Sequence, residues 1–277
     1  MRSCTTVVFT LAALLAPLGA SAADKDPVAV ANKADVLHDG LKGAALTAVH
    51  EVTDTAGKTE KQVYRVLNDL GTGNSFIVIS SENSEVNGMV YLIKGGTLYA
   101  ATPNQRSFQR LGSLNLDRRV SGSLFSHWDL QGNIPIGTEY TPTITKSDAS
   151  ATELELQAKA GSHYKKIVAK IDGKTGLYVH TALYDDKGLL KTVEYSKPKT
   201  VGSKVKRKMM THVEMARADG RGDVPVAKTT FKLVEVELDP EVSYADELAS
   251  SDANLQRLRS KYVLSGDALR SLLAEAE

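Results

Sequence analysis

Phe76-Ile77-Val78-Ile79, then Met89-Val90-Tyr91-Leu92-Ile93 after the turn Asn87-Gly88, and a third run after Gly95-Gly96, decide the fold. Each run is too short for an ordinary helix and is rich in β-branched and aromatic residues. The glycines between them supply the positive φ that tight hairpin turns need. The stretch therefore reads as an antiparallel meander. Its apolar residues do not alternate cleanly with polar ones, and neither do those of Gly176-Leu177-Tyr178-Val179. A sheet wetted on one side would alternate, so both surfaces of its middle must be covered: one by helices, the other by a second layer or a ligand.

The same rhythm extends in both directions. Strands are expected at 44–54, 59–69, 75–82, 88–94 and 97–109, then at 138–146, 151–159, 164–172, 177–185, 189–197, 204–216 and 227–238. Turn chemistries such as Thr55-Ala56-Gly57-Lys58, Asp172-Gly173-Lys174 and Asp185-Asp186-Lys187-Gly188 punctuate them. Residues 110–136 break the pattern with Arg118-Arg119 and with Phe125 close to Trp128, and read as a loop with a short helix. An amphipathic helix is expected at 29–41, and two short helices after Pro240 in a loosely packed tail. About a dozen strands in up-and-down order make the fold class mainly β with a few helices (α+β), as one large curved antiparallel sheet.

Residues 1–22 carry the marks of a cleaved secretory signal: Arg2, an apolar stretch at 7–18, and Ala20-Ser21-Ala22. Such a stretch is shorter than the roughly 20 residues that span a bilayer. Cys4, the only cysteine, lies ahead of the apolar stretch, so a mature chain starting near Ala23 has no disulfide, thiolate metal site or cysteine nucleophile. Without Arg2 the chain balances 33 basic against 33 acidic residues, which argues against nucleic acid as a partner. The expected organisation is a signal segment at 1–22, a binding domain at 23–239 and a helical tail at 240–277.

Catalytic patterns were weighed against plainer readings. Ser162-His163-Tyr164-Lys165 followed by Lys174-Thr175-Gly176 imitates the motifs of penicillin-binding enzymes, but both fall on one hairpin, where that chemistry needs a buried helix and a distant strand. His38, His50, His127, His163, His180 and His212 show no metal-ligand spacing, so no metal or cofactor is expected. Residues 204–208 hold four basic side chains in five positions and read as the charged guard of an exposed edge strand. Arg221-Gly222-Asp223 reads as a hairpin tip, and no glycine-rich phosphate loop opens a helix. No catalytic residue is assigned, and the chain is expected not to be an enzyme.

Ala34-Asp35, the stretch Val90-Tyr91-Leu92 to Tyr99-Ala100-Ala101-Thr102-Pro103, Arg118-Arg119-Val120-Ser121 and Tyr184-Asp185-Asp186-Lys187-Gly188 carry a further signal. So does the final run from Lys228 to Leu238-Asp239-Pro240-Glu241-Val242. With these the chain resembles the outer-membrane lipoprotein-sorting superfamily (LolA/LolB-like), in its uncharacterised periplasmic branch. The resemblance implies a half-open β-barrel with a helical lid, located in the periplasm, carrying lipid or lipoprotein acyl chains in outer-membrane biogenesis or lipid transport. Moving an acyl chain through water exposes methylenes at about 0.8 kcal/mol each, so a soluble carrier needs an apolar trough. The expected lining is Tyr64, Val66, Phe76, Val78, Val90, Leu92, Leu98, Leu154, Val168, Val179 and Leu183, with Phe125 and Trp128 at the lid. The chain is expected to be a monomer whose partner is lipid or an acylated protein. An alternative is an envelope adaptor or sensor beside an inner-membrane transporter of the resistance-nodulation-division type or a signalling protein; a third reading is a secreted lipid hydrolase.

Overall fold

A computed structural model describes residues 26–35, 41–112, 118–130, 136–160, 162–218, 226–240 and 248–275. The signal segment, the second half of the expected first helix and the Arg221-Gly222-Asp223 tip lie outside the described residues. Helix α1 (Pro27–Ala34) begins where Asp26 accepts from the Val28 amide at 3.0 Å and Pro27 supplies a preset φ.

Thirteen antiparallel strands form one sheet: β1 (Gly43–Asp54), β2 (Thr59–Asp69), β3 (Asn74–Ser81), β4 (Val90–Lys94), β5 (Thr97–Ala101), β6 (Gln109–Arg110), β7 (Tyr140–Ser147), β8 (Ala151–Ala158), β9 (Lys166–Asp172), β10 (Tyr178–Asp185), β11 (Gly188–Val201), β12 (Arg207–Arg217) and β13 (Val226–Leu238). Their order is β6-β5-β4-β3-β2-β1-β13-β12-β11-β10-β9-β8-β7. The chain's first and last strands therefore zip together in the middle, from Ala44 opposite Leu238 to Asp54 opposite Val226. The free edges, β6 and β7, belong to the middle of the sequence. The segment between them holds a 3-10 turn (Val120–Gly122) and the one-turn helices α2 (His127–Leu130) and α3 (Ile136–Glu139).

Successive strand residues point to opposite faces, and the buried clusters show which face is which. One cluster joins Tyr64, Ile77, Ile79, Tyr91 and Leu98 from one wing to Leu154, Ile167, Leu183 and Val193 from the other, together with Val120, Leu124 and Phe125. Side chains from wings so far apart in strand order meet only inside a strongly curved sheet. The opposite parity, Leu67, Phe76, Val78, Val90 and Leu92, packs against Leu248, Leu255 and Leu258. Val49 and Val63 likewise pack under Leu264 and Leu269. These leucines belong to α4 (Asp252–Tyr262) and α5 (Gly266–Glu275) and their flanks. The lack of alternation in β3 and β4 thus has a physical cause: apolar core lies inside and helices lie outside.

Two expectations change. The tail is not loose over its described part, because α4 and α5 form this outer layer, with Arg259 donating to the backbone oxygens of Gly88 at 2.8 Å and Gln105 at 2.6 Å. The run 97–109 is two strands, split where Pro103, which has no amide hydrogen, enters a turn closed by Gln105 N donating to Thr102 O. The basic run 204–208 leads into β12, where Arg207 and Lys208 pair with Val201 and Thr200 of β11, while the ladder to β13 begins only at His212. The sharp turn before β12 needs Gly202 at φ 88°, where a Cβ would stand 2.0 Å from the Val205 carbonyl oxygen.

Candidate functional site: the plugged interior of the half-barrel

Residues 118–130 cross the open side of the sheet as a small plug. Arg119 and Ser126 form an antiparallel bridge. The Val120 amide donates to Phe125 O at 2.7 Å, and the His127 amide to Arg118 O at 2.8 Å. The tip is tight enough to hold Ser121 at φ 47°, a left-handed conformation uncommon outside glycine. Val120, Leu124, Phe125 and Leu130 point into the inner cluster. Phe125 meets Phe231 of β13 at 5.3 Å between ring centres. The Leu124 amide donates to Thr229 Oγ1 at 2.9 Å.

A buried ion pair fastens the plug. Lys191 Nζ of β11 stands 2.5 Å from Asp129 Oδ2 and donates to Leu124 O at 3.0 Å. Asp129 also accepts from the Tyr164 hydroxyl, from the Ser126 amide at 2.7 Å and from Ser126 Oγ at 2.9 Å. Burial pushes this carboxyl up, but the Lys191 ammonium and the hydrogen bonds outweigh it and hold the pKa below the usual carboxylate value. In this arrangement the carboxylate, not an imidazole, receives the serine hydroxyl. The His127 ring faces Tyr91, with Nε2 3.4 Å from the hydroxyl.

Deeper inside, on β1, β2 and β13, His50 lies between Tyr64 and Phe231, with ring centres 4.6 and 4.4 Å away. His50 and Tyr64 are fully enclosed, and Gln62 nearly so. His50 Nδ1 and Nε2, Gln62 Oε1, Tyr64 Oη and Ser121 Oγ are buried without a hydrogen bond of normal geometry. Burial lowers the His50 pKa to about 3, nudged back up by nearby Gln62, and raises that of Tyr64 above its ordinary value, so both are neutral at physiological pH. At the β7 edge, Glu139 is buried with neither carboxylate oxygen paired, and burial lifts its pKa to about 7.

The expected lining divides by face. Tyr64, Leu98, Leu154 and Leu183 lie in the inner cluster, and Val66 and Val179 pack against it. Phe76, Val78, Val90 and Leu92 are placed on the opposite face, under α4, because the parity of β3 and β4 is the reverse of that expected. Val168 is half-buried on the parity opposite to Ile167 and Ala169. Phe125 is in the plug; Trp128 lies within α2, its side chain outside the described set. The sequence assigned no site role to Asp129, Lys191, Tyr164, Gln62 or Glu139, and of His50 it showed only that metal-ligand spacing is lacking. The available signal was parity: Lys191 shares a face with buried Val193, and His50 with buried Ala48. Among the described residues no three His, Cys, Asp or Glu side chains are grouped to hold a metal, and no helix is long and apolar enough to cross a membrane.

Solved structures share this architecture. A DUF1329 family protein from Desulfovibrio piger superposes with a TM-score of 0.69 at 19% identity, covering 81% of this chain and 98% of its own. A domain described as an outer-membrane lipoprotein-sorting protein from Vibrio parahaemolyticus gives 0.66 at 18% identity, with 79% and 95% covered. A LolA superfamily protein from Nitrosomonas europaea gives 0.65 at 19% identity, with 82% and 99% covered. No curated protein matches the sequence. A family model described as "uncharacterized protein" matches residues 72–246, well over half of the chain. The chain therefore belongs to that family, and its open, plugged half-barrel is a LolA-like fold.

Proposed function

We propose that the protein binds the acyl chains of a lipid or lipoprotein inside the half-barrel and carries them through the periplasm. One observation carries this reading: the interior is apolar from wing to wing, yet it is closed by a short plug held by four apolar side chains and a few polar contacts rather than by sheet pairing. A core built only for stability has no use for a removable stopper. Displacing the plug would open a trough along Tyr64, Val66, Leu98, Leu154, Val179 and Leu183, with Phe125 and Trp128 as the lid. In this reading residues 1–22 export the chain, 23–239 bind the ligand, and 240–277 brace the outer face. Binding and release need no covalent step, so the protein acts as a carrier, as a monomer, rather than as an enzyme.

The test is native and denaturing mass spectrometry of the mature protein purified from its own periplasm. A diacyl species near one-to-one supports the carrier, and its head group names the ligand class. An empty protein that also refuses a fluorescent fatty-acid probe would overturn the reading.

A further inference from the structure

Most of the inner surface is hydrocarbon, but the centre of the sheet is not. His50, Gln62, Tyr64 and Ser121 bring five buried polar atoms together, and the contacts among them, Gln62 with His50 and Ser121 with Tyr64, fall short of hydrogen-bond geometry. Buried groups left in this state are costly, and each needs a cause: an unfilled ligand contact, a trapped water or a functional constraint. Three of the four side chains come from adjacent strands, where His50 pairs directly with Gln62 and Tyr64 sits two residues along β2. The fourth, Ser121, is presented from above by the strained tip of the plug. The cluster therefore lies at the centre of the sheet's inner face, beneath the tip of the plug.

We propose that His50, Gln62, Tyr64 and Ser121 form a neutral polar subsite that receives the ester carbonyl and a neighbouring O–H or N–H donor at the head of a glycerol-linked acyl chain. The proposal rests on the acyl-binding reading and makes it specific. A neutral imidazole offers one N–H donor and one acceptor, the hydroxyls of Tyr64 and Ser121 donate, and Gln62 Oε1 accepts. Such a mixed set matches a carbonyl beside a hydroxyl. A fatty-acid carboxylate matches it poorly: it only accepts, leaving Gln62 Oε1 unanswered, and its charge would be buried against groups that carry none. His50 cannot supply the missing charge, because burial keeps it unprotonated far below neutral pH. Lys191 is already committed to Asp129, and Arg119 of the plug, whose Nη1 is buried without a partner, lies beside the like charge of Arg217.

The subsite is tested by isothermal titration of the delipidated mature protein at pH 8 with three probes of equal chain length. These are monomyristoylglycerol, myristate, and a synthetic dimyristoylated lipopeptide. The wild type is expected to bind the glycerol ester at least about ten-fold more tightly than myristate. Tyr64→Phe and Gln62→Leu should shrink that ratio to about three-fold or less by weakening the glycerol ester, with helix and strand content unchanged, which excludes misfolding. Their melting temperatures should stay level or rise, since each removes an unpaired buried group. Whichever of the glycerol ester and the lipopeptide binds more tightly identifies the source of the ester. Equal affinity of the wild type for ester and myristate, or variants that keep the wild-type ratio, would overturn the subsite and leave the carrier standing. Failure of all three probes to bind would overturn both.

Discussion

Asp129 and Lys191 are almost completely buried and meet at 2.5 Å in a mainly apolar core. Desolvating two charges costs about as much as their attraction returns, so the pair adds little net stability, but breaking it leaves one charge stranded. Asp129→Asn or Lys191→Met should therefore cost about 3–5 kcal/mol in urea unfolding, and the apolar double replacement should recover most of the loss. Because folding lowers the Asp129 pKa, its contribution is present above the unfolded value of 3.8 and is lost as acid protonates it below that point. Glu139 has the opposite sign. Burial raises its pKa from 4.5 to about 7, so the folded state binds the proton more tightly and ionisation opposes folding. Its penalty is absent below about 4.5, grows through the interval and is full above about 7. Glu139→Gln should raise the melting temperature at pH 8, leave it unchanged at pH 4, and flatten the profile between; no gain at pH 8 would mean the carboxyl relaxes into water.

Among the elements, the outer helices contribute what the strands alone cannot. Leu255 and Leu258 of α4 are fully buried against Phe76, Val78, Val90 and Leu92, a patch that would otherwise face water. Truncating either leucine to alanine should cost about 2–5 kcal/mol, read by thermal or denaturant unfolding of the full chain. Most strands were legible in the sequence because hairpin turns with Gly57, Gly88 and Gly188 at positive φ mark where each must end. The tail was harder, since one amphipathic helix does not disclose which surface it covers, and the unalternating runs of β3 and β4 were consistent with cover on either face. That ambiguity reversed the parity for Phe76, Val78, Val90 and Leu92. The Asp129–Lys191 latch was illegible for another reason: its partners stand 62 positions apart, and no local spacing signals a contact made across the mouth of a curved sheet.

For the molecule as a whole, pairing β1 with β13 moves the weak seam away from the chain ends and into the middle of the sequence. The first and last strands form the centre of the sheet, while β6, only two residues long, and β7 are its edges. Opening here breaks the plug's contacts with Thr229 and Lys191 and exposes Val120, Leu124, Phe125 and Leu130, but it breaks none of the long ladders. Gating by the plug and simple loss of stability make different kinetic forecasts. If the plug gates entry, Asp129→Asn should raise the association rate of a fluorescent acyl probe by about ten-fold or more, because each 1.4 kcal/mol taken from the closed state multiplies the open fraction by ten. Hydrogen exchange should quicken at 118–130 while the β1, β2 and β13 amides stay protected. Faster exchange throughout the sheet with an unchanged association rate would mean that the ion pair holds the fold rather than the gate, and the entry path would then have to be sought elsewhere.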